Sequence, residues 1–215
     1  MKPSSLGILG CAIVVVTMVA GCRGTGTVRA LDLREKPPKV QVTDIQLVKI
    51  VVEPFEDRRV DHNRVGFRTH LWGGTTYFNV PSDQLASMIT QRVADRLRTR
   101  GWQDKVWDVR AVPAGSASDA DIVISGQLVD FSATAKSRVF STVIDTKSRL
   151  KVMAKNQTDQ STTIRNIEGG RSRTVFWFSD NDVQEQLSLT LRDGIERLIS
   201  DTTIEDKALK SVQDQ

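Results

Sequence analysis

Two histidines and several carboxylates cluster in the first third of the chain: Glu53, Glu56, Asp57, Asp61, His62 and His70. Imidazole and carboxylate are ligands for divalent metals, so Glu56, Asp57, Asp61, His62 and His70 could hold an ion. Their spacing fits no metal motif, and the polar surroundings read as loop, so solvated side chains are expected and no metal site is assigned. Glu53, Asp57 and Asp61 could also supply a carboxylate pair for acid–base work, but a charge cluster at a strand end is the commoner arrangement. No serine lies in a G-x-S-x-G setting, and no histidine follows His70. Gly73-Gly74 lacks the following Lys-Ser/Thr and the strand–helix context of a phosphate loop. The sequence therefore predicts no catalytic residue, no cofactor and no metal.

The residue placed for covalent chemistry is Cys22. Lys2 supplies a positive start, Leu6 to Met18 an apolar run, and Val19-Ala20-Gly21 small side chains directly before the thiol. The run is about a dozen residues, the length of a signal-peptide core and too short for a membrane span. Small residues suit the narrow pocket of a signal peptidase, and the thiol can then carry diacylglycerol. The pattern resembles a bacterial lipobox. It predicts that residues 1–21 are removed and that Cys22 becomes the first residue, acylated on sulfur and nitrogen, with palmitate-type chains. Several chains on one residue give stable membrane anchoring where one would not. Arg23, in place of the aspartate that retains lipoproteins in the inner membrane of enterobacteria, points to the periplasmic face of the outer membrane. Cys11 leaves with the signal peptide, so no disulfide or thiol catalyst remains.

Residues 22–215 amount to 194 of the 215, enough for one domain with a real core. Removing residues 1–21 takes away Lys2 and no acid, lowering the formal charge from +4 to +3. The charges are mixed in sign, with no run of five alike, and neither this nor the compartment suits nucleic acid as a partner.

Residues 22–40 read as the lipidated cysteine and a flexible tether, with Gly24-Thr25-Gly26-Thr27 loose and Pro37-Pro38 stiff; as a coil it would reach roughly 20–25 Å. Residues 41–215 read as a single periplasmic domain. Alternation from Gln41 to Phe55 predicts a strand, and residues 56–81 a long irregular connection. Pro81 to Arg100 predicts a helix capped by Ser82 or Asp83, with Leu85, Met88, Ile89, Val93 and Leu97 on one face and Gly101 at its left-handed end. Strands are expected over Asp121–Ser132, with a bulge or a bend at Gly126, then Arg138–Asn156 and Ser161–Ser179, the last breaking at Gly169-Gly170. A second helix begins at Asp180-Asn181-Asp182 and carries Val183, Leu187, Leu191, Ile195, Leu198 and Ile199 inward. Ile204, Leu209 and Val212 suggest a short last helix. The order β-α-β-β-β-α implies an α+β fold: a mostly antiparallel sheet with helices on one face.

The helix end Arg98-Thr99-Arg100-Gly101-Trp102, the strand Ala120 to Leu128 and the close Leu198-Ile199-Ser200-Asp201-Thr202-Thr203-Ile204 together resemble the YajG family of small bacterial lipoproteins, over roughly residues 42–210. The likeness extends more distantly to auxiliary lipoproteins of lipid-transport systems and to the periplasmic domain of the curli-secretion lipoprotein. It implies an α+β lipoprotein, and it transfers no catalytic residue.

Surfaces remain. Phe67, Leu71, Trp72, Tyr77 and Phe78 interrupt the polar connection, with Arg58, Arg59, Arg64 and Arg68 around them. Either these apolar side chains fold back over the sheet, or, with Arg64 and Arg68, they form a docking patch for an envelope partner or a second copy. Val175-Phe176-Trp177-Phe178 reads as core or a sheet-edge contact. The expected role is a non-enzymatic, membrane-anchored accessory or structural subunit of an envelope assembly. The alternative is a lipid-binding auxiliary, which a groove of ligand size would favour.

Overall fold

The computed structural model describes residues 25–33, 45–103, 105–116 and 119–212. The expected signal peptide, Cys22, Arg23 and Pro37-Pro38 lie outside these residues.

The spine of the fold is β7 (Ile122–Arg138), seventeen residues long. Along one edge it pairs antiparallel with β8 (Ser141–Asn156), which pairs antiparallel with β9 (Thr162–Val175). The other edge of β7 is shared by three shorter parallel strands: β2 (Ile45–Val52) near its start, β3 (Glu56–Asp57) in the middle and β4 (Arg64–Thr69) near its end. Two wings therefore open from one spine. The first continues from β2 to β6 (Val106–Ala111), parallel. The second continues from β4 to antiparallel β5 (Thr75–Asn79) and then to β1 (Thr25–Ala30), parallel to β5.

The fold is α+β, but its sheet is mixed where a mostly antiparallel one was expected. The reason is the second edge of β7, which takes only parallel partners. The connection read as irregular over residues 56–81 contributes β3, β4 and β5. The stretch read as a flexible tether also contributes: Thr25–Ala30 is β1, and Leu31 and Leu33 are buried in the core.

Strict alternation builds the two faces. In β8 every second residue from Thr142 to Asn156 is buried, while Asp145, Lys147, Arg149, Lys151 and Lys155 point to solvent. On the buried face lies α2 (Asp180–Ser200), with Val183, Leu187, Leu191, Ile195 and Leu198 inward as their helical spacing predicted. Ser179 caps it, accepting from the Asp182 N–H while the Asp182 carboxylate accepts from the Ser179 N–H, a capping box one residue earlier than the expected start. Helix α1 (Ser82–Thr99) buries Leu85, Ile89, Val93 and Leu97 in the same core, and Arg96 joins it to α2 through Glu196. Its N-cap is Pro81, with no side-chain cap, and Gly101 follows it at φ +55°. Trp102 is buried, its indole donating to Thr202 Oγ1 at 2.8 Å.

Three local expectations are corrected. Gly126 makes no bulge; the irregularity falls at Leu128–Asp130, and Gly126 instead gives room to the Phe55 ring. Strand β9 runs through Gly169-Gly170 unbroken. The last segment is not a helix but a hairpin, β10 (Thr202–Glu205) with β11 (Ala208–Ser211), turned by Asp206 and Lys207, both at positive φ. The buried Asn156 amide fastens it, donating to Leu209 O and accepting from Leu209 N.

Gly169 decides how closely α2 approaches the sheet. A Cβ there would lie 2.2 Å from the Thr190 carbonyl oxygen, where the Thr146 and Thr190 hydroxyls are already bonded at 2.6 Å. Gly169→Ala is expected to cost about 1–3 kcal/mol through this overpacking, read as a lower midpoint in urea; an unchanged midpoint would mean that the helix stands farther off.

Candidate functional site

The residues expected to form one patch are divided among three places. Phe78 is fully buried and stacks on Phe178, centroids 6.3 Å apart. Phe67 and Tyr77 are neighbours across β4 and β5 on the opposite, open face, and Val28 of β1 pairs with Tyr77. Register thus makes a row Val28–Tyr77–Phe67, with the Arg64 guanidinium 4.2 Å from the Tyr77 ring centroid. Leu71 and Trp72 occupy the β4–β5 turn, where Trp72 is 92% exposed. Arg68 turns the other way: it lies 4.0 Å from the Phe178 ring centroid, and its Nε donates to Ser137 Oγ at 2.9 Å.

At the Trp72 end of the sheet two further loops arrive. The β7–β8 turn carries Val139 and Phe140, and the segment between β9 and α2 carries Phe176 and Trp177. Phe140, Phe176 and Trp177 are 87%, 78% and 92% exposed. This corrects the expectation that Val175 to Phe178 is core or edge contact: Val175 is buried and Phe178 half-buried, but the two rings between them stand in solvent. The three loops surround an open cavity of about 620 Å³, lined among others by Trp72, Phe140 and Trp177 and by Arg29, Arg68 and Arg138. Its size falls in the range of ligand sites. The sequence reading passed over Phe140, although apolar residues at the polar-flanked turn Arg138-Val139-Phe140-Ser141 were a legible signal, and it placed Trp177 in the core or at a sheet edge.

The titratable cluster does not converge. Asp57 accepts from Arg59 Nε at 3.0 Å and Nη2 at 2.8 Å, with His62 Nδ1 at 3.5 Å. Burial alone would raise the Asp57 carboxyl, but hydrogen bonds and charge from Arg59, helped by His62, hold it below the usual carboxylate range. Asp61 accepts from the Asn63 and Arg64 N–H groups, and Glu53 from the Gly115 N–H. His70 is bonded to Thr76 Oγ1 at 2.8 Å beside the cavity; burial and the Arg68 charge lower its pKa. Among the described residues no group of three or more metal-ligating side chains forms. The arrangement offers binding surfaces: an open sheet face with an apolar row, and an aromatic, arginine-lined end.

No family model and no curated protein matches the chain. Several solved structures align with the chain at low identity. A Xanthomonas campestris protein of the DUF330 family aligns at 13% identity over 80% of this chain and 92% of its own, with a TM-score of 0.47. The PelC dodecamer of Paraburkholderia phytofirmans aligns at 13% over 68% and 88%, TM-score 0.32. The lipoprotein GNA1162 of Neisseria meningitidis aligns at 10% over 71% and 98%, TM-score 0.27. Likenesses this remote assign neither a family nor a function.

Proposed function

We propose that this chain is a lipid-anchored lipoprotein of the YajG type, held at the periplasmic face of the outer membrane through Cys22, and that it works by binding rather than turnover, as an accessory or structural subunit of an envelope assembly. The lipobox pattern supports the anchor. The observation that carries the binding role is the row Val28–Tyr77–Phe67, apolar side chains on the open face of the β4–β5–β1 wing. Val28 is 57% and Phe67 40% exposed, so both are available to a partner. The arginine-lined cavity favours the alternative, a lipid-binding auxiliary of an envelope lipid-transport system.

Replacing Val28 and Phe67 by Ser tests the leading reading. The double variant should change stability by less than about 1 kcal/mol, since neither side chain is buried. In cells it should lose the cross-linked complexes that the parent forms from this face, whether with another envelope protein or with a second copy. A stable variant that retains every cross-linked complex would count against the row as an interface.

A further inference from the structure

We propose that the aromatic end of the sheet rests directly on the membrane that holds the Cys22 lipid, so that Trp72, Phe140, Phe176 and Trp177 enter the headgroup region of an anionic bilayer. This inference rests on the reading of Cys22 as lipidated.

The topology carries the argument. Strand β1 runs parallel to β5, with Thr25 opposite Thr75, just after the turn that holds Trp72. The chain therefore enters the fold at the aromatic end. From Thr25 back to Cys22 there are three peptide steps of 3.8 Å, so the acylated residue lies no more than about 11 Å from that end. A domain on a free tether of residues 22–40 could stand well off the bilayer; one joined at Thr25 is kept within three residues of it.

The side chains at that end match an interface. Two tryptophans and two phenylalanines stand out from three separate loops. Tryptophan, with an apolar body and a polar N–H, concentrates at the boundary between lipid and water. Arg29, Arg68 and Arg138 line the cavity between them, and among the described residues no acidic side chain does; Asp180, which acts on Arg68 through its charge, lies outside the lining. Guanidinium groups bind phosphate oxygens bidentately, so lipid headgroups complement the cavity. The opposite end of β7 pairs with Ile50–Val52, the last residues of β2, and with Asn156 of β8, and it lacks such a ring of exposed aromatics among the described residues.

The test uses the full chain, acylated in cells and reconstituted into vesicles of phosphatidylethanolamine and phosphatidylglycerol, 3:1, doped with phosphatidylcholine brominated near the headgroup. Emission from Trp72 and Trp177 should shift to the blue and be mostly quenched. The variant W72F/W177F, which keeps only the buried Trp102 and Trp107, should show neither effect. Replacing phosphatidylglycerol by phosphatidylcholine should weaken the quenching; equal quenching would overturn the part given to the arginines. Acylated, vesicle-bound protein with unquenched Trp72 and Trp177 would overturn the inference and leave the anchor standing. Cross-links between Phe140 positions of two copies would overturn it in favour of self-association at this end. Mature protein without acyl mass would overturn the anchor, and this inference with it.

Discussion

Asp57→Ala is expected to destabilise the domain by about 3–5 kcal/mol, because it strands a buried guanidinium. Arg59 is 6% exposed and spends its donors on Asp57, on the Arg64 carbonyl at 2.8 Å and on the His62 carbonyl at 2.9 Å. It thereby fixes the loop that feeds β4, the strand on which the aromatic wing is built. Without the carboxylate the charge must hydrate by opening that loop, so the wing should loosen before the β7–β8–β9 sheet does. Urea unfolding followed by hydrogen exchange at β4 reads both effects, and a loss under about 0.5 kcal/mol would mean that the pair is worth no more than a surface one. The pair also sets a pH dependence. The folded carboxyl lies below its unfolded value of about 3.9, so its stabilisation is complete above that pH and is lost as the pH falls through the folded value. Asp57→Asn should flatten that acid limb of the stability profile.

Cys22→Ala should have the largest effect in cells. The thiol is the acyl acceptor of the proposed anchor, and acylation precedes cleavage in that pathway. The variant should accumulate as precursor with residues 1–21 attached, and mature protein in the outer-membrane fraction should fall to background. Cleaved, outer-membrane-bound Cys22→Ala protein would refute the lipobox reading.

Much of the scaffold was legible in local pattern. The apolar stripes of α1 and α2 and the alternation of β7 and β8 each declare their buried face over many residues. What was not legible is set by distant partners. Arg64–Thr69 carries Gly66 and three polar side chains, and pairing with β7 on one edge and β5 on the other makes it a strand. Thr25–Ala30 is polar and glycine-containing, and its conformation comes from β5. The closing hairpin lacks the usual Asn-Gly turn, so its apolar spacing was read as a helix. The candidate site was half visible. Leu71 and Trp72 stood out in a polar stretch, whereas Phe176-Trp177 read as core because their segment is apolar.

The chemical state of the first residue of the mature chain tests the account most directly. Mass spectrometry of protein extracted from the outer membrane should show a chain beginning at Cys22 and heavier than its sequence by a diacylglyceryl group and a further acyl chain. A chain that begins at Cys22 or elsewhere with no added mass would contradict it.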